Sequence, residues 1–412
     1  MTNSEFKKYF SEFIINASDT KKTKTLIKSI KCSGTTVHQY FNEYWTSKQR
    51  QSNPLHEISY RACYKAELPR FFISLFSKVG DTIYDPFSGR GTTIIEGALL
   101  NRNIISNDIN PLSTILSKPR LFVPTHDEVE GRLNKIKFKK GLKSNIDLSM
   151  FYHPETESEI VSLKNYLTRK KKNEEEDFVD NWIRMIATNR LTGHSKNFLS
   201  VYTLPPNQAV SQARQIKINM QRKQKPEYKD VKFIILKKTR DLTSRLDNKI
   251  IQRLKSIGDN AKFLNENAVN TSTIPDNSVQ LTVTSPPFLD VVNYASDNWL
   301  RCWFNNIDAD TIAKKITSTK RLDDWETIMG EVFKELFRIT KNGGFVAFEV
   351  GEIKKGKIKL DEFVVPLGLD AGFECLGVIV NSQIFTKTAN IWGINNNSSG
   401  TNTNRIVIFR KH

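Results

Sequence analysis

Ile83-Tyr84-Asp85-Pro86-Phe87-Ser88-Gly89-Arg90-Gly91-Thr92-Thr93 is a short apolar run that breaks into a glycine turn. Leu281-Thr282-Val283-Thr284-Ser285-Pro286-Pro287-Phe288 is a second such run, and it breaks into twin prolines. Both read as buried parallel strands ending at the carboxyl edge of an α/β sheet, where ligands bind. Gly89 and Gly91 let the backbone turn tightly and approach a ligand closely. The helix expected from about Thr92 points its free N–H groups the same way. A lysine-bearing phosphate loop is excluded, because Thr92 stands where the lysine would be. A second strand over 103–106 runs into Asn107-Asp108. Asp108 follows the glycines at close to the spacing at which an acid meets ribose hydroxyls in dinucleotide folds. The plainer alternative is a helix-capping turn followed by a surface acid.

Pro286 and Pro287 remove two backbone donors and hold the chain extended, so the carbonyls before them lack local partners. Carbonyls fixed in a cleft are good acceptors for an exocyclic amine, which carries two N–H groups. Phe288 beside them offers a stacking face for a flat base. The bland alternative is a proline-kinked loop with Phe288 in the core.

These residues resemble the amino-group DNA methyltransferases that use S-adenosylmethionine. The family's glycine motif is matched by 85–93, and its catalytic tetrapeptide by Ser285-Pro286-Pro287-Phe288. Tyr64 to Phe72 resembles the segment that packs over the methionine end of the cofactor. The resemblance implies Asp85, Phe87, Gly89, Gly91, Thr92, Asp108 and Asn267 as cofactor-binding residues, and the tetrapeptide as the catalytic group. It implies a doubly wound, mostly parallel, Rossmann-like α/β fold with an inserted target-recognition region. The substrate would be double-stranded DNA with a flipped target base, with a cognate restriction endonuclease as a candidate partner. Thr-Ser-Pro-Pro is commonest in family members that methylate N4 of cytosine; N6 of adenine, or a base in RNA, stays open. Two departures stand out. The family's aromatic is usually Tyr and here is Phe288, and its Gly-Asp-Ala loop reads Glu266-Asn267-Ala268. A catalytically idle nucleic-acid-binding module is the alternative from another class.

Composition agrees with a polyanionic partner. The chain has 412 residues, 38% of them hydrophobic, and a net charge of +18, with an isoelectric point near 9.5. The four cysteines form no C-x-x-C pair and the six histidines are scattered, so neither a metal nor a disulfide framework is implied. A reducing cytoplasm is the expected compartment. No run approaches membrane-spanning length.

Four parts are expected: an N-terminal helical segment (1–57), a cofactor half (58–112), an inserted target-recognition region (113–259) and a catalytic half (260–412). The insertion carries Lys135-Ile136-Lys137-Phe138-Lys139-Lys140 and a mixed-sign run from Arg169 to Asp177; the mixed-sign run reads as a solvated loop between helices, with a nucleic-acid contact as the alternative. It also carries a polar, aromatic-interleaved stretch from Asn189 to Gln208, suited to base and phosphate contacts, and a basic helix over 212–225. Trp299, Leu300 and Trp303 fall at helical spacing and read as core, with lining the base pocket as the alternative. A helix over 325–339 is expected to stop at Gly343-Gly344, and the polar loop 395–404 is a candidate closing segment.

Overall fold

The computed structural model describes residues 1–14, 24–32, 34–45, 53–61, 63–205, 208–287, 294–315, 321–353, 357–382 and 403–412. The strands are β1 (Leu26–Cys32), β2 (Thr35–Asn42), β3 (Thr82–Asp85), β4 (Asn103–Asn107), β5 (Lys262–Leu264), β6 (Val279–Thr284), β7 (Thr340–Val350), β8 (Glu352–Ile353), β9 (Ile358–Lys359), β10 (Glu374–Ser382) and β11 (Thr403–Arg410). Nine form one sheet in the order β1-β2-β10-β11-β7-β6-β3-β4-β5, and β8 pairs separately with β9. From β5 to β7 every neighbouring pair is parallel. β11 is antiparallel to both its neighbours. The order reverses at β3: the chain steps outward through β4 to β5, then lays β6 on the other side of β3. That is a topological switch point, and the carboxyl ends there are where open α/β sheets bind ligands. The doubly wound, mostly parallel α/β architecture is as expected.

Alternation along the strands explains why both faces are covered. Ile83, Leu281, Phe345, Ile406 and Ile408 pack with Phe72 and Phe76 of the helix Glu67–Phe76. Their neighbours Tyr84, Val346, Phe348, Val407 and Phe409 pack on the other face, against the helices Leu322–Ile339 and Asp361–Asp370. Each large apolar side chain buried this way contributes about 1.5–3 kcal/mol.

Two expectations are corrected. Among its described residues the 1–57 segment is α-helical only over Asn3–Ser11; Leu26–Cys32 and Thr35–Asn42 form a hairpin that extends the sheet beside β10. β-branched and aromatic residues in Thr35-Thr36-Val37-His38-Gln39-Tyr40-Phe41 favour a strand and supply its buried face. The helix Leu322–Ile339 turns extended at Thr340, ahead of the glycines, and Gly343-Gly344 lies inside β7 where the register with β6 shifts.

The chain from β4 to β5 runs through six longer helices, from His126–Lys135 to Asn248–Asn260. The last of these packs on Thr92–Leu99. Trp182, Ile183 and Ile186 share one core with Ile94, Ile95 and Ile104, so the insertion is continuous with the cofactor half. Leu300 joins the same core, with Trp299 and Trp303 packed partly buried against it as read; Phe304 joins it as well. No helix among the described residues is long and apolar enough to cross a membrane.

Candidate active site

Asp85 ends β3 and is fully buried. Its Oδ1 accepts from the Phe87 N–H (3.1 Å) and the Thr284 hydroxyl (2.6 Å), and its Oδ2 from the Tyr64 hydroxyl (3.1 Å). Thr284 immediately precedes Ser285, so one carboxylate ties the glycine turn to the proline turn. The Thr93 hydroxyl adds a bond to the Val283 carbonyl at 3.0 Å. Burial pushes the Asp85 carboxyl up to about 6, opposed by these three hydrogen bonds.

The two glycines do different things. Gly89, at φ +51°, donates its N–H to Asp108 Oδ2 at 2.8 Å. The Asn110 N–H donates to the other oxygen at 2.9 Å. Asp108 is half-buried, and burial pushes its carboxyl up to about 6 against these two bonds. A Cβ on Gly89 would meet nothing closer than the Tyr60 ring at 3.6 Å. On Gly91, at φ +78°, a Cβ would lie 2.5 Å from the Cβ of Ser117. The close approach at Gly91 is thus to the neighbouring helix Leu112–Ser117 rather than to a ligand. Buried Arg120 braces the same turn through the carbonyls of Leu116, Leu55 and Arg90.

A cavity of about 920 Å³, counting its open part, lies between the two turns, within the usual range for small-molecule sites. Phe87, Gly89, Asp108 and Ile109 line it from the glycine side, and Asn267 and Ala268 from the loop after β5. Ser285, Pro286 and Pro287 line it from the end of β6, and Met329 and Val332 cover it from the helix Leu322–Ile339. The apolar walls and few polar groups suit a purine nucleoside. Among the described residues, Glu266 Oε2 is buried at this cavity with no hydrogen-bond partner, an acceptor left over for a ligand donor.

The proline turn is held from behind. The Trp325 indole N–H donates to the Pro287 carbonyl at 3.0 Å. Glu349, near the end of β7, is buried and hydrogen-bonded by Ser285 and by the Asn404 amide. Burial raises the Glu349 carboxyl, and both hydrogen bonds favour its ionised form.

Seven of the sequence-derived positions therefore surround one cavity: Phe87, Gly89, Asp108, Asn267, Ser285, Pro286 and Pro287. Asp85, Gly91 and Thr92 stand behind that surface. Thr92 is buried and accepts from the Arg90 guanidinium at 3.1 Å. Phe288 lies outside the described residues, as do 289–293, Pro206, Asn207 and residues 395–402 of the polar loop. Sequence reading missed Tyr60, Glu266 and Glu349. Only Glu349 carried a signal, as an acid in the apolar run Phe345-Val346-Ala347-Phe348-Glu349-Val350.

In the insertion, Asn189 and Arg190 are buried, bonded to each other, and Arg190 stacks 4.0 Å over Phe198. They build the loop rather than face outward. The helix Gln212–Arg222 exposes Arg214, Lys217 and Arg222, the last lying 3.8 Å over the Tyr202 ring. His126, Asp127 and Glu130 approach one another closely enough to hold an ion. They sit at an exposed helix start, where acids are favoured by the dipole alone.

Fold and cavity together define an α/β protein with a cavity at its switch point of a size and lining that fit a nucleotide-like ligand. Residues 2–114 match a family described as a DNA methylase, of the N6 and N4 type. The chain is 36% identical over 76 residues to the type II methyltransferase M.MthZI of Methanothermobacter thermautotrophicus, covering 18% of this chain and 21% of that protein. It is 38% identical over 86 residues to M.BsoBI of Geobacillus stearothermophilus, covering 20% and 17%. The chain spans about a fifth of the length of these curated relatives. An S-adenosylmethionine-dependent methyltransferase structure from Methanosarcina mazei aligns over 82% of this chain and 96% of its own. Its 12% identity and TM-score of 0.31 are too low to carry an argument. Over these stretches the chain is similar to amino-group DNA methyltransferases.

Proposed function

We propose that the protein methylates an exocyclic amine in double-stranded DNA, at N4 of cytosine, using S-adenosylmethionine. The observation that supports this is the meeting of the glycine turn, Asp108 and Ser285-Pro286-Pro287 around one cavity. Asp108 would accept from the ribose hydroxyls, and Asn267 with the unpaired Glu266 oxygen would take the polar edge of the adenine. When bound, the cofactor supplies a methyl group on a good leaving group, so the protein's main task is alignment. The Ser285 hydroxyl and the Pro286 carbonyl would each accept one N–H of the target amine, turning its lone pair toward the methyl. Glu349 orients the Ser285 hydroxyl and gives the amine proton a route off the nitrogen. The target base must leave the duplex to reach this depth, and Phe288 would stack on it.

The preference for cytosine rests on Ser285 opening the tetrapeptide; adenine N6, or an RNA base, is the second reading with the same residues. The helices of 113–259 would recognise the DNA, with Gln212–Arg222 along its backbone. A modification role beside a restriction endonuclease is the setting we infer. Nucleoside mass spectrometry of DNA incubated with protein and cofactor tests the reading. N4-methylcytosine is expected. Methylated adenine alone would overturn the base assignment, and no methylated base in DNA or RNA would overturn the activity.

A further inference from the structure

The two basic runs of the insertion, well separated in the sequence, converge on one groove. Lys135, Lys137 and Lys139 line it from one side, and Asn165, Tyr166 and Arg169 from the other. The reason is local. Ile136 is buried and Phe138 packs partly buried against the core, so the alternating lysines are turned outward and all three are exposed. The segment is also pinned along the helix Pro154–Lys172. Ser162 Oγ accepts the Lys139 N–H at 3.0 Å, and Ser158 Oγ donates to the Lys139 carbonyl at 2.6 Å.

The nearby acids do not neutralise this groove. Glu175 pairs with Lys170, Glu176 with Arg184, and Asp177 and Asp180 with Arg132. The Tyr166 hydroxyl is likewise spent on Asp180, at 3.0 Å. No carboxylate lines the groove, and among the described residues none of its four cations has an ion pair. Four exposed, unneutralised cations around an open groove are an electrostatic site for a polyanion.

The groove has a defined relation to the candidate active site. The helix Pro154–Lys172 is bonded through Lys164 and Thr168 to Asn306, just past the helix Tyr294–Asn305. The other end of that helix is bonded near Tyr60, which lines the catalytic cavity, through the Arg61–Asp297 pair and the Arg301 bond to the Ser59 carbonyl. At 1.5 Å per residue, roughly 15 Å of helix lies between the two ends. That is about four base pairs along a duplex at ~3.4 Å each.

We infer that this groove is a second phosphate clamp, gripping the backbone of duplex DNA several base pairs away from the target base. The inference rests on the DNA reading above and adds a contact outside the recognised site. Its test is the variant with Lys135→Gln, Lys137→Gln, Lys139→Gln and Arg169→Gln, compared with wild type by fluorescence anisotropy on a long duplex and on one trimmed to a few base pairs each side of the target. On the long duplex, affinity should fall more than tenfold at about 0.1 M salt, and the slope of log K against log salt should flatten by about 0.9 for each phosphate lost. On the trimmed duplex the two proteins should bind alike. Thermal melting and cofactor affinity serve as controls for folding, since all four side chains are exposed. Equal binding of the long duplex, or equal loss on both duplexes, overturns the clamp while the DNA reading stands. If wild type binds neither duplex, the DNA reading itself falls.

Discussion

Alanine at Gly91 and at Gly89 should have opposite consequences, although the residues are two apart in one turn. Both sit at positive φ, +78° and +51°, so each alanine carries the left-handed penalty of about 1–2 kcal/mol. At Gly91 the new methyl lies 2.5 Å from the Ser117 Cβ, and both groups are on packed backbone. Overpacking of that kind adds about 1–3 kcal/mol, for a total of about 2–5 kcal/mol. At Gly89 the nearest atom is a Tyr60 ring carbon at 3.6 Å, ordinary contact, so only the conformational cost is paid. That methyl, however, sits among Tyr60 and Phe87, which line the cavity, and its residue holds Asp108 in place. Gly89→Ala should fold nearly normally and bind S-adenosylmethionine at least tenfold more weakly, a loss of about 1.4 kcal/mol. Gly91→Ala should unfold at markedly lower urea concentration. Urea unfolding and calorimetric titration of both variants decide the matter. Equal stability of the two, or wild-type cofactor affinity in folded Gly89→Ala, would refute the division of labour.

Asp108, pushed up to about 6 by burial, should make cofactor affinity fall as pH drops through about 6, because a protonated acid no longer accepts from two hydroxyls; affinity flat between pH 5 and 7 by titration (about one unit either side of 6) would contradict this. Asp85 and Asp108 bind protons more tightly folded than unfolded, where carboxyls titrate near ~4. These two carboxyls should therefore subtract stability from the cofactor-free protein as pH rises from about 4 to about 6, and an Asp108→Asn variant whose melting temperature follows the wild-type pH dependence across that window would contradict this. Glu349→Gln should lower kcat with little change in cofactor affinity and remove the acid limb of the pH–rate profile; an unaltered profile would reduce Glu349 to packing. Neutralising Lys217, Lys223 and Lys225 together should weaken binding alike on all DNA sequences and flatten the salt slope by about 0.9 per contact, whereas a loss confined to one sequence would mean base reading instead.

The sheet was legible because its strands are apolar runs that stop abruptly at turn residues. Asp85-Pro86 and Ser285-Pro286 mark two such ends, and the structure pairs their strands, β3 and β6, as parallel neighbours. The hairpin over 26–42 was not, because Lys28, Ser29 and Lys31 make its outer strand polar and it is buried only where it meets β10. In the site, the spacing of Gly89 and Gly91 was readable, but not which of them faces the cavity. That depends on Ser117, brought against Gly91 by tertiary packing. Asn189 and Arg190 read as base-contacting side chains, since hydrogen-bonding capacity is visible in sequence and its consumption by Ser59 and Phe198 is not. The basic groove failed to show for the converse reason. Lys135 and Arg169 belong to different elements, and only the serine ladder along Pro154–Lys172 puts them side by side.

One pocket at the β3–β6 switch point, serving cofactor and target amine together, is the centre of this account. It is tested most directly by calorimetric titration of S-adenosylmethionine into wild type, Asp108→Ala and Ser285→Ala, with methyl transfer to DNA measured on the same three samples. Wild type should bind one cofactor per chain and transfer its methyl. Asp108→Ala should lose binding and transfer together, and Ser285→Ala should keep the affinity and lose most of the transfer. Undiminished cofactor binding in Asp108→Ala, or undiminished transfer in Ser285→Ala, would contradict the account.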